Sequence, residues 1–111
     1  MRVDVFCRVV DNFGDIGVCW RLARQLAAQQ GPVRLWVDGL ASFARLERRL
    51  SVRVPMQSID GVEILHWTLP ALDVVPHEIV IEAFACDPPP AFVDRMQDLV
   101  QRPIWINLEY L

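Results

Sequence analysis

The chain has 111 residues, of which 53% are hydrophobic and 23% are charged, and its formal net charge is −3 at pH 7. This composition predicts a globular domain with a packed core and argues against disorder and against a general nucleic-acid binder. No secretory signal pattern and no apolar run of roughly 18 residues is present, so we expect a cytoplasmic protein that uses neither nucleic acid nor a membrane as a partner.

Strands and helices alternate along the sequence. A run of β-branched and aromatic residues predicts a strand over residues 2–10, and apolar residues four positions apart predict a helix over residues 16–30. The other predicted elements are strands at 33–37, 62–67, 78–84 and 103–108 and helices at 40–50 and 91–101. We interpret residues 53–61 and 68–77 as linker-like. This order predicts an α/β fold with a mostly parallel, Rossmann-like sheet.

The loop after the first predicted strand, residues 11–17, reads Asp-Asn-Phe-Gly-Asp-Ile-Gly. Open parallel sheets bind ligands at the carboxyl ends of their strands, where this loop would lie. It differs from the glycine fingerprint of dinucleotide-binding folds, because the first glycine is missing and Asp11 and Asp15 would repel a pyrophosphate. The two carboxylates would attract a cation or accept a proton, so the loop is a candidate acceptor or catalytic loop. Structural roles remain open, with Asp15 as a helix cap and Asp11 as a turn residue.

The cysteines and histidines do not form a metal-binding pattern. Cys7, Cys19 and Cys86 are widely spaced and lack a CxxC pair, so we expect buried free thiols and not a zinc site or a disulfide framework. His66 and His77 have no partners at ligand spacing. We therefore predict no metal site.

One long stretch resembles a known family. Residues 5–24 read Val-Phe-Cys-Arg-Val-Val-Asp-Asn-Phe-Gly-Asp-Ile-Gly-Val-Cys-Trp-Arg-Leu-Ala-Arg, and they closely resemble the start of the bacterial protein-arginine rhamnosyltransferases that mature elongation factor P. The resemblance continues through residues 33–38, 80–87 and 105–111, so it spans essentially the whole chain. It implies an inverting glycosyltransferase that moves rhamnose from the nucleotide-sugar donor dTDP-β-L-rhamnose to an arginine side chain of elongation factor P, without a further cofactor.

The resemblance also implies a domain arrangement. The family has two facing Rossmann-like domains in the GT-B arrangement. Residues 1–111 would then be part of the N-terminal, acceptor-side domain, and the C-terminal donor-binding domain would lie outside this chain. The chain also stops directly after a predicted strand, where a doubly wound domain normally continues with a helix. We expect the isolated chain to be inactive and to bind the donor weakly or not at all.

The same resemblance gives individual residues a role. Asp15 matches the general base of the family and Asp11 the accompanying acid. The other candidate substrate-binding residues are Asn12, Phe13, Gly14, Gly17, Glu82, Glu109 and Tyr110. For Glu82, a structural hydrogen bond or ion pair remains an equal alternative, because an acid inside an apolar strand requires a partner.

Two other functions remain open at this point. A GT-B glycosyltransferase with a non-protein acceptor would share the fold, but it should not need paired acids in the first loop. A non-enzymatic α/β interaction or receiver-like module would also have acids at strand ends, and a receiver would bind magnesium at a specific site.

Overall fold

The computed structural model describes residues 1–9, 14–67 and 74–109. Within them the elements follow one another as β1 (Val3–Cys7), α1 (Gly14–Gln29), β2 (Val33–Val37), α2 (Leu40–Leu46), β3 (Met56–Ile59), β4 (Val62–His66), β5 (Ile79–Ala83), α3 (Pro90–Asp98) and β6 (Ile104–Leu108). The six strands form one sheet in the order β3-β4-β2-β1-β5-β6. The pair β3–β4 is antiparallel and the other neighbouring pairs are parallel. The predicted α/β class and mostly parallel sheet are confirmed, with β1 in the interior of the sheet.

One predicted linker contains a strand, so the interpretation of residues 53–61 as linker-like was wrong. Strand β3 pairs with β4 in a hairpin. The hairpin turn is formed by Asp60 and Gly61, whose φ angles of 53° and 79° are both left-handed. An Asp-Gly pair is a strong signal for such a two-residue turn. The short strand was missed because it lies at the sheet edge with half of its residues exposed, which weakens the hydrophobic pattern.

The sheet is packed on both faces, which explains why its inner strands are nearly continuous apolar runs. Val3, Val5 and Cys7 of β1 belong to the core cluster that includes buried residues of α1 and α2. Phe6 belongs to the second cluster, with Trp36 and residues of α3. Its ring stacks on that of Trp36 with 5.5 Å between centroids. The aromatic packing therefore fixes β1 against β2 beneath α3.

The helices follow from apolar spacing and from their end signals. The buried residues of α1 are Ile16, Cys19, Trp20 and Ala23, which recur at the three- and four-residue spacing of one helical face. Gly31, with a φ of 122°, follows the end of α1. Helix α3 starts at Pro90, a position where the missing N–H costs nothing. None of the helices in the described parts of the chain has the length and apolar character that crossing a membrane would require.

A buried carboxylate lies near the amino edge of the sheet. Asp4 of β1 is fully buried. It accepts hydrogen bonds from Nε and Nη2 of Arg34 at 2.6 and 2.8 Å, from Nε1 of Trp36 at 2.9 Å and from the backbone N–H of His77 at 2.8 Å. These donors satisfy the carboxylate and tie the segment before β5 to β1 and β2. Burial lowers the pKa of the adjacent His77 ring, although the Asp4 carboxylate acts in the opposite direction.

Candidate functional site

The strand order reverses between β1 and β5. From β1 the sheet extends through β2 and β4 on one side and through β5 and β6 on the other. Chain connections leave the carboxyl ends of β1 and β5 in different directions, and such a switch point is where open α/β sheets bind ligands. A cleft of about 390 Å³ opens there, lined by Arg8, Asp15 and residues 83–87. Its volume is in the range of small-molecule sites.

Asp15 contributes a carboxylate to this cleft. It is half-buried and lies in the first turn of α1, because the helix begins at Gly14. Asp15 is therefore a first-turn residue and does not occupy the N-cap position. A negative charge is favoured there by the unpaired N–H groups at the amino end of a helix. The fold thus places Asp15 at the carboxyl edge of the sheet, where a ligand can reach it.

Several predicted site residues lie outside the described residues, namely Asp11, Asn12, Phe13 and Tyr110. Gly14 and Gly17 belong to the beginning of α1 with Asp15. A Cβ atom added at Gly17 would meet none of the described atoms within 4 Å. Residues two positions apart on a helix point to different sides, and Gly17 is not among the residues that line the cleft, so this open space is not part of it.

The loop of residues 84–87, which follows β5, has an unusual backbone. Phe84, Ala85 and Asp87 have left-handed φ angles of 56°, 52° and 55°. Such a conformation costs a residue other than glycine about 1–2 kcal/mol and persists only where neighbouring groups enforce it. This 84–87 loop lines the cleft together with Asp15.

Two side chains from neighbouring strands bind the backbone of the 84–87 loop. Oε2 of Glu82 on β5 accepts a hydrogen bond from the N–H of Asp87 at 3.1 Å. Oδ1 of Asn107 on β6 accepts one from the N–H of Ala85, also at 3.1 Å. Glu82 thus makes the structural hydrogen bond that the sequence left as an alternative to a substrate contact.

Glu109 contacts Asn107, which in turn binds the 84–87 loop that lines the cleft. Its Oε1 accepts a hydrogen bond from Nδ2 of Asn107 at 2.7 Å. This bond fixes the orientation of the Asn107 amide, with its oxygen toward the 84–87 loop. Glu109 is not among the residues that line the cleft. The structure therefore connects Glu109 to the loop and not directly to Asp15.

Arg8 binds the same loop from the end of β1. Its Nε and Nη2 donate to the carbonyl oxygen of Cys86 at 3.3 and 3.0 Å, and its guanidinium carbon lies 5.0 Å from the centroid of the Trp67 ring. Burial raises the pKa of Cys86 to about 12. A hydrogen bond with Cys19, together with burial, raises the pKa of Cys7. The thiols of Cys7 and Cys86 therefore stay protonated at neutral pH and add no charge near the cleft.

Sequence reasoning missed Arg8, Asp87 and Asn107. Arg8 and Asp87 follow the ends of β1 and β5, and the carboxyl-edge rule that selected Asp15 would have selected them as well. Asn107 lies opposite Glu82 in the β5–β6 register. That pairing was not available from a single sequence, so the sequence carried no signal for its contact with the loop.

A second cleft, of about 320 Å³, lies at the opposite, amino edge of the sheet. Arg2 and Glu78 line it and pair with each other at 3.1 Å, with about half of each side chain exposed. The topology favours the carboxyl-edge cleft as the functional site, because the connections that diverge around a ligand lie there.

Comparison with known proteins gives consistent matches. The family model described as Elongation-Factor P (EF-P) rhamnosyltransferase EarP matches residues 3–111. A protein-arginine rhamnosyltransferase of Pseudomonas aeruginosa is 51% identical over 109 residues, and one of Pseudomonas putida is 50% identical over 109 residues. One of Shewanella oneidensis is 45% identical over 115 residues. Each alignment covers 97% of this chain, and the chain spans 29% of the length of each of these curated relatives.

Proposed function

This chain belongs to the EarP family of elongation factor P rhamnosyltransferases, and we propose that the whole protein transfers rhamnose from dTDP-β-L-rhamnose to an arginine of elongation factor P. In this proposal residues 1–111 are part of the N-terminal, acceptor-side domain of a cytoplasmic GT-B enzyme. The nucleotide of the donor is then held mainly by a C-terminal domain beyond this chain.

The observation that carries the proposal is the place of Asp15 in the cleft between the β1 and β5 connections. The acceptor group is a guanidinium, a planar cation that a carboxylate binds through two parallel hydrogen bonds. Among the described residues that line this cleft, Asp15 and Asp87 are acidic and Arg8 is basic, and the Arg8 guanidinium already donates to the carbonyl oxygen of Cys86. The excess of acidic groups complements a cationic acceptor better than a phosphate.

Asp15 would accept a proton from the acceptor guanidinium as well as orient it. Arginine is protonated at any ordinary pH, so its nitrogens have no lone pair free to attack. A carboxylate is too weak a base to remove that proton beforehand, but it can accept the proton while the new bond forms. This timing requires Asp15 to hold the guanidinium before the reaction begins.

The proposed step is a single displacement at C1 of the sugar. The guanidinium nitrogen forms a bond to C1 while the bond from C1 to the diphosphate oxygen breaks, and the electron pair of that bond leaves with dTDP. The nitrogen proton passes to Asp15. Direct attack inverts the anomeric centre through an oxocarbenium-like transition state. Asp11 would bind the guanidinium from a second side as the accompanying acid.

The test uses the full-length protein with dTDP-β-L-rhamnose and purified elongation factor P. We expect the mass of the acceptor to increase by one deoxyhexose, located on an arginine by fragmentation, with one dTDP released for each sugar transferred. Elongation factor P with lysine in place of that arginine is the matched control and should stay unmodified. Transfer to a glycan but not to elongation factor P, or specific magnesium binding without any transfer, would overturn the proposal.

A further inference from the structure

The 84–87 loop combines an unfavourable backbone with an exposed surface. Three of its four residues are left-handed and none of them is glycine. Ala85 and Asp87 are exposed, whereas Cys86 is buried. A short loop without glycine would relax to ordinary backbone angles unless other groups prevented it. The loop is therefore a wall of the cleft whose shape depends on its neighbours.

The constraint on the loop comes from a pair of facing side chains. Glu82 and Asn107 occupy opposite positions of β5 and β6, so their side chains project from the same level and face of the sheet. Each one accepts the N–H of a left-handed residue, Asp87 and Ala85 respectively, at 3.1 Å. Both hydrogen bonds thus act directly on the unusual backbone angles.

The middle of the loop is held from the side of β1. Arg8 donates to the carbonyl oxygen of Cys86, and Sγ of Cys86 donates to the carbonyl oxygen of Phe6 at 3.4 Å. The loop is consequently fixed at three successive residues while its outer surface remains open to a ligand. Rigid support of this kind is what a site needs in order to orient a bound group.

We propose that Glu82 and Asn107 are positioning residues for the acceptor. They hold the 84–87 loop in its left-handed conformation beside Asp15, and the loop in turn orients the protein segment that carries the acceptor arginine. Neither side chain touches the substrate. The inference rests on the proposed function and adds to it how the acceptor side of the cleft is shaped.

The kinetic test uses the full-length enzyme with Glu82→Ala and Asn107→Ala. We expect each to raise KM for elongation factor P by about ten- to a hundredfold, because misplacement of a substrate by about 1 Å has effects of that size. KM for the donor should stay at its wild-type value. Glu82→Gln retains an acceptor oxygen for the Asp87 N–H and should restore the wild-type KM. Asp94→Ala, an exposed change on α3, is the matched control.

A second measurement does not depend on activity. Hydrogen–deuterium exchange in residues 84–87 should be faster in both alanine variants than in the wild type, and slow again in Glu82→Gln. The melting temperature should stay close to that of Asp94→Ala, because loss of the hydrogen bonds also releases the unfavourable backbone angles.

The outcomes separate this inference from the proposed function. A wild-type enzyme that modifies elongation factor P, with alanine variants of unchanged acceptor KM, would overturn the positioning role alone. Glu82→Gln as impaired as Glu82→Ala would also overturn it, because the charge and not the hydrogen bond would then be required. A wild-type enzyme that fails to modify elongation factor P would overturn the proposed function, whatever hydrogen–deuterium exchange in the 84–87 loop shows.

Discussion

Asp4 and Asp15 lie at opposite edges of the same sheet, and their surroundings differ completely. Asp4 is 0% exposed and accepts four hydrogen bonds, from Arg34, Trp36 and His77. Asp15 is half-buried at the rim of a cleft. A carboxylate whose lone pairs are all occupied by the protein stabilises the fold and has nothing left for a ligand. In this molecule it is therefore accessibility at the carboxyl edge, and not burial of charge, that identifies the candidate catalytic acid.

The same contrast holds for the backbone. Around Asp4 the chain is regular strand, and its polar groups are bound by partners from β2 and the segment before β5. Around the cleft three residues of the 84–87 loop have left-handed φ angles. The amino edge thus contributes stability, whereas the backbone at the carboxyl edge has a conformation that is unfavourable by itself, as is common at binding sites. We therefore expect substitutions at the amino edge to lower stability and substitutions at the carboxyl edge to lower activity.

The largest expected effect is on turnover, at Asp15. In the full-length enzyme Asp15→Asn keeps the size of the side chain and removes its charge, so the proton has no acceptor. We expect the rate of rhamnose transfer to fall by about two to four orders of magnitude, the range for loss of a general base. Initial rates with elongation factor P measure this, with Asp94→Asn as the control.

The structural alternative for Asp15 makes a different forecast. In the first turn of α1 the negative charge of Asp15 stabilises the helix by about 0.3–1 kcal/mol. If Asp15 serves only the helix, Asp15→Asn and Asp15→Ala both retain the wild-type rate and merely lower the melting temperature. That pair of results would show the catalytic assignment to be wrong.

The next largest effect is on stability, at Asp4. Asp4→Ala leaves the Arg34 guanidinium without its buried partner, and such a loss typically costs about 3–5 kcal/mol of unfolding free energy. Urea unfolding of the full-length protein measures it. Glu78→Ala removes the exposed partner of Arg2 and should cost far less. Equal stability of the two variants would mean that the Asp4 network does not stabilise the fold.

Asp15 and Asp4 also differ in how far the sequence could predict them. The position of Asp15 followed from the order of strand, acidic loop and helix, all within residues 2–30. Asp4 looks like any polar residue in a strand, because its partners lie 30, 32 and 73 positions away in the sequence. Only the pairing of β1 with β2 and β5 brings these groups together.

The 84–87 loop escaped prediction for a different physical reason. Positive φ angles can be expected at glycine or in an Asp-Gly hairpin, as at Asp60 and Gly61. At Phe84 and Ala85 the local sequence favours ordinary angles. The conformation is set by hydrogen bonds from β5 and β6, so the local sequence does not predict it. Glu82 could accordingly be recognised as an unusual acid but not assigned a partner.

A moderate effect is expected from pH at the amino edge. Burial lowers the pKa of His77 below its value in the unfolded chain, about 6.5. The unfolded state then binds the proton more readily, so stability is complete above about pH 6.5 and is lost as the pH falls toward the folded pKa. One proton gives a slope of at most about 1.4 kcal/mol per pH unit.

His77→Phe tests this expectation, because it removes the titrating ring and keeps the backbone N–H that binds Asp4. Urea unfolding at about pH 8 and about pH 5.5 should show a smaller loss of stability in the variant than in the wild type. All other titrating groups are common to both proteins, so the difference isolates His77. An identical pH dependence of the two would contradict the assignment.

The smallest expected effect is a gain of stability near the amino end of α1, from Gly17→Ala. Alanine is favoured over glycine inside a helix by roughly 0.5–1 kcal/mol, and a Cβ at this position meets none of the described atoms within 4 Å. The variant should therefore unfold at slightly higher urea, whereas Gly39→Ala, whose Cβ would lie 3.3 Å from Cβ of Val9, should not gain. Gly17 is a candidate substrate-binding residue, and if the acceptor contacts this turn of α1, the added methyl group raises KM for elongation factor P while stability rises. A variant that is both more stable and fully active would mean that the substrate does not approach this turn of α1. A variant that is less stable would mean that the turn is packed more tightly than the contacts indicate. Higher stability with weaker acceptor binding is not expected from Asp4→Ala, because that substitution removes the partner of the Arg34 guanidinium and lowers stability.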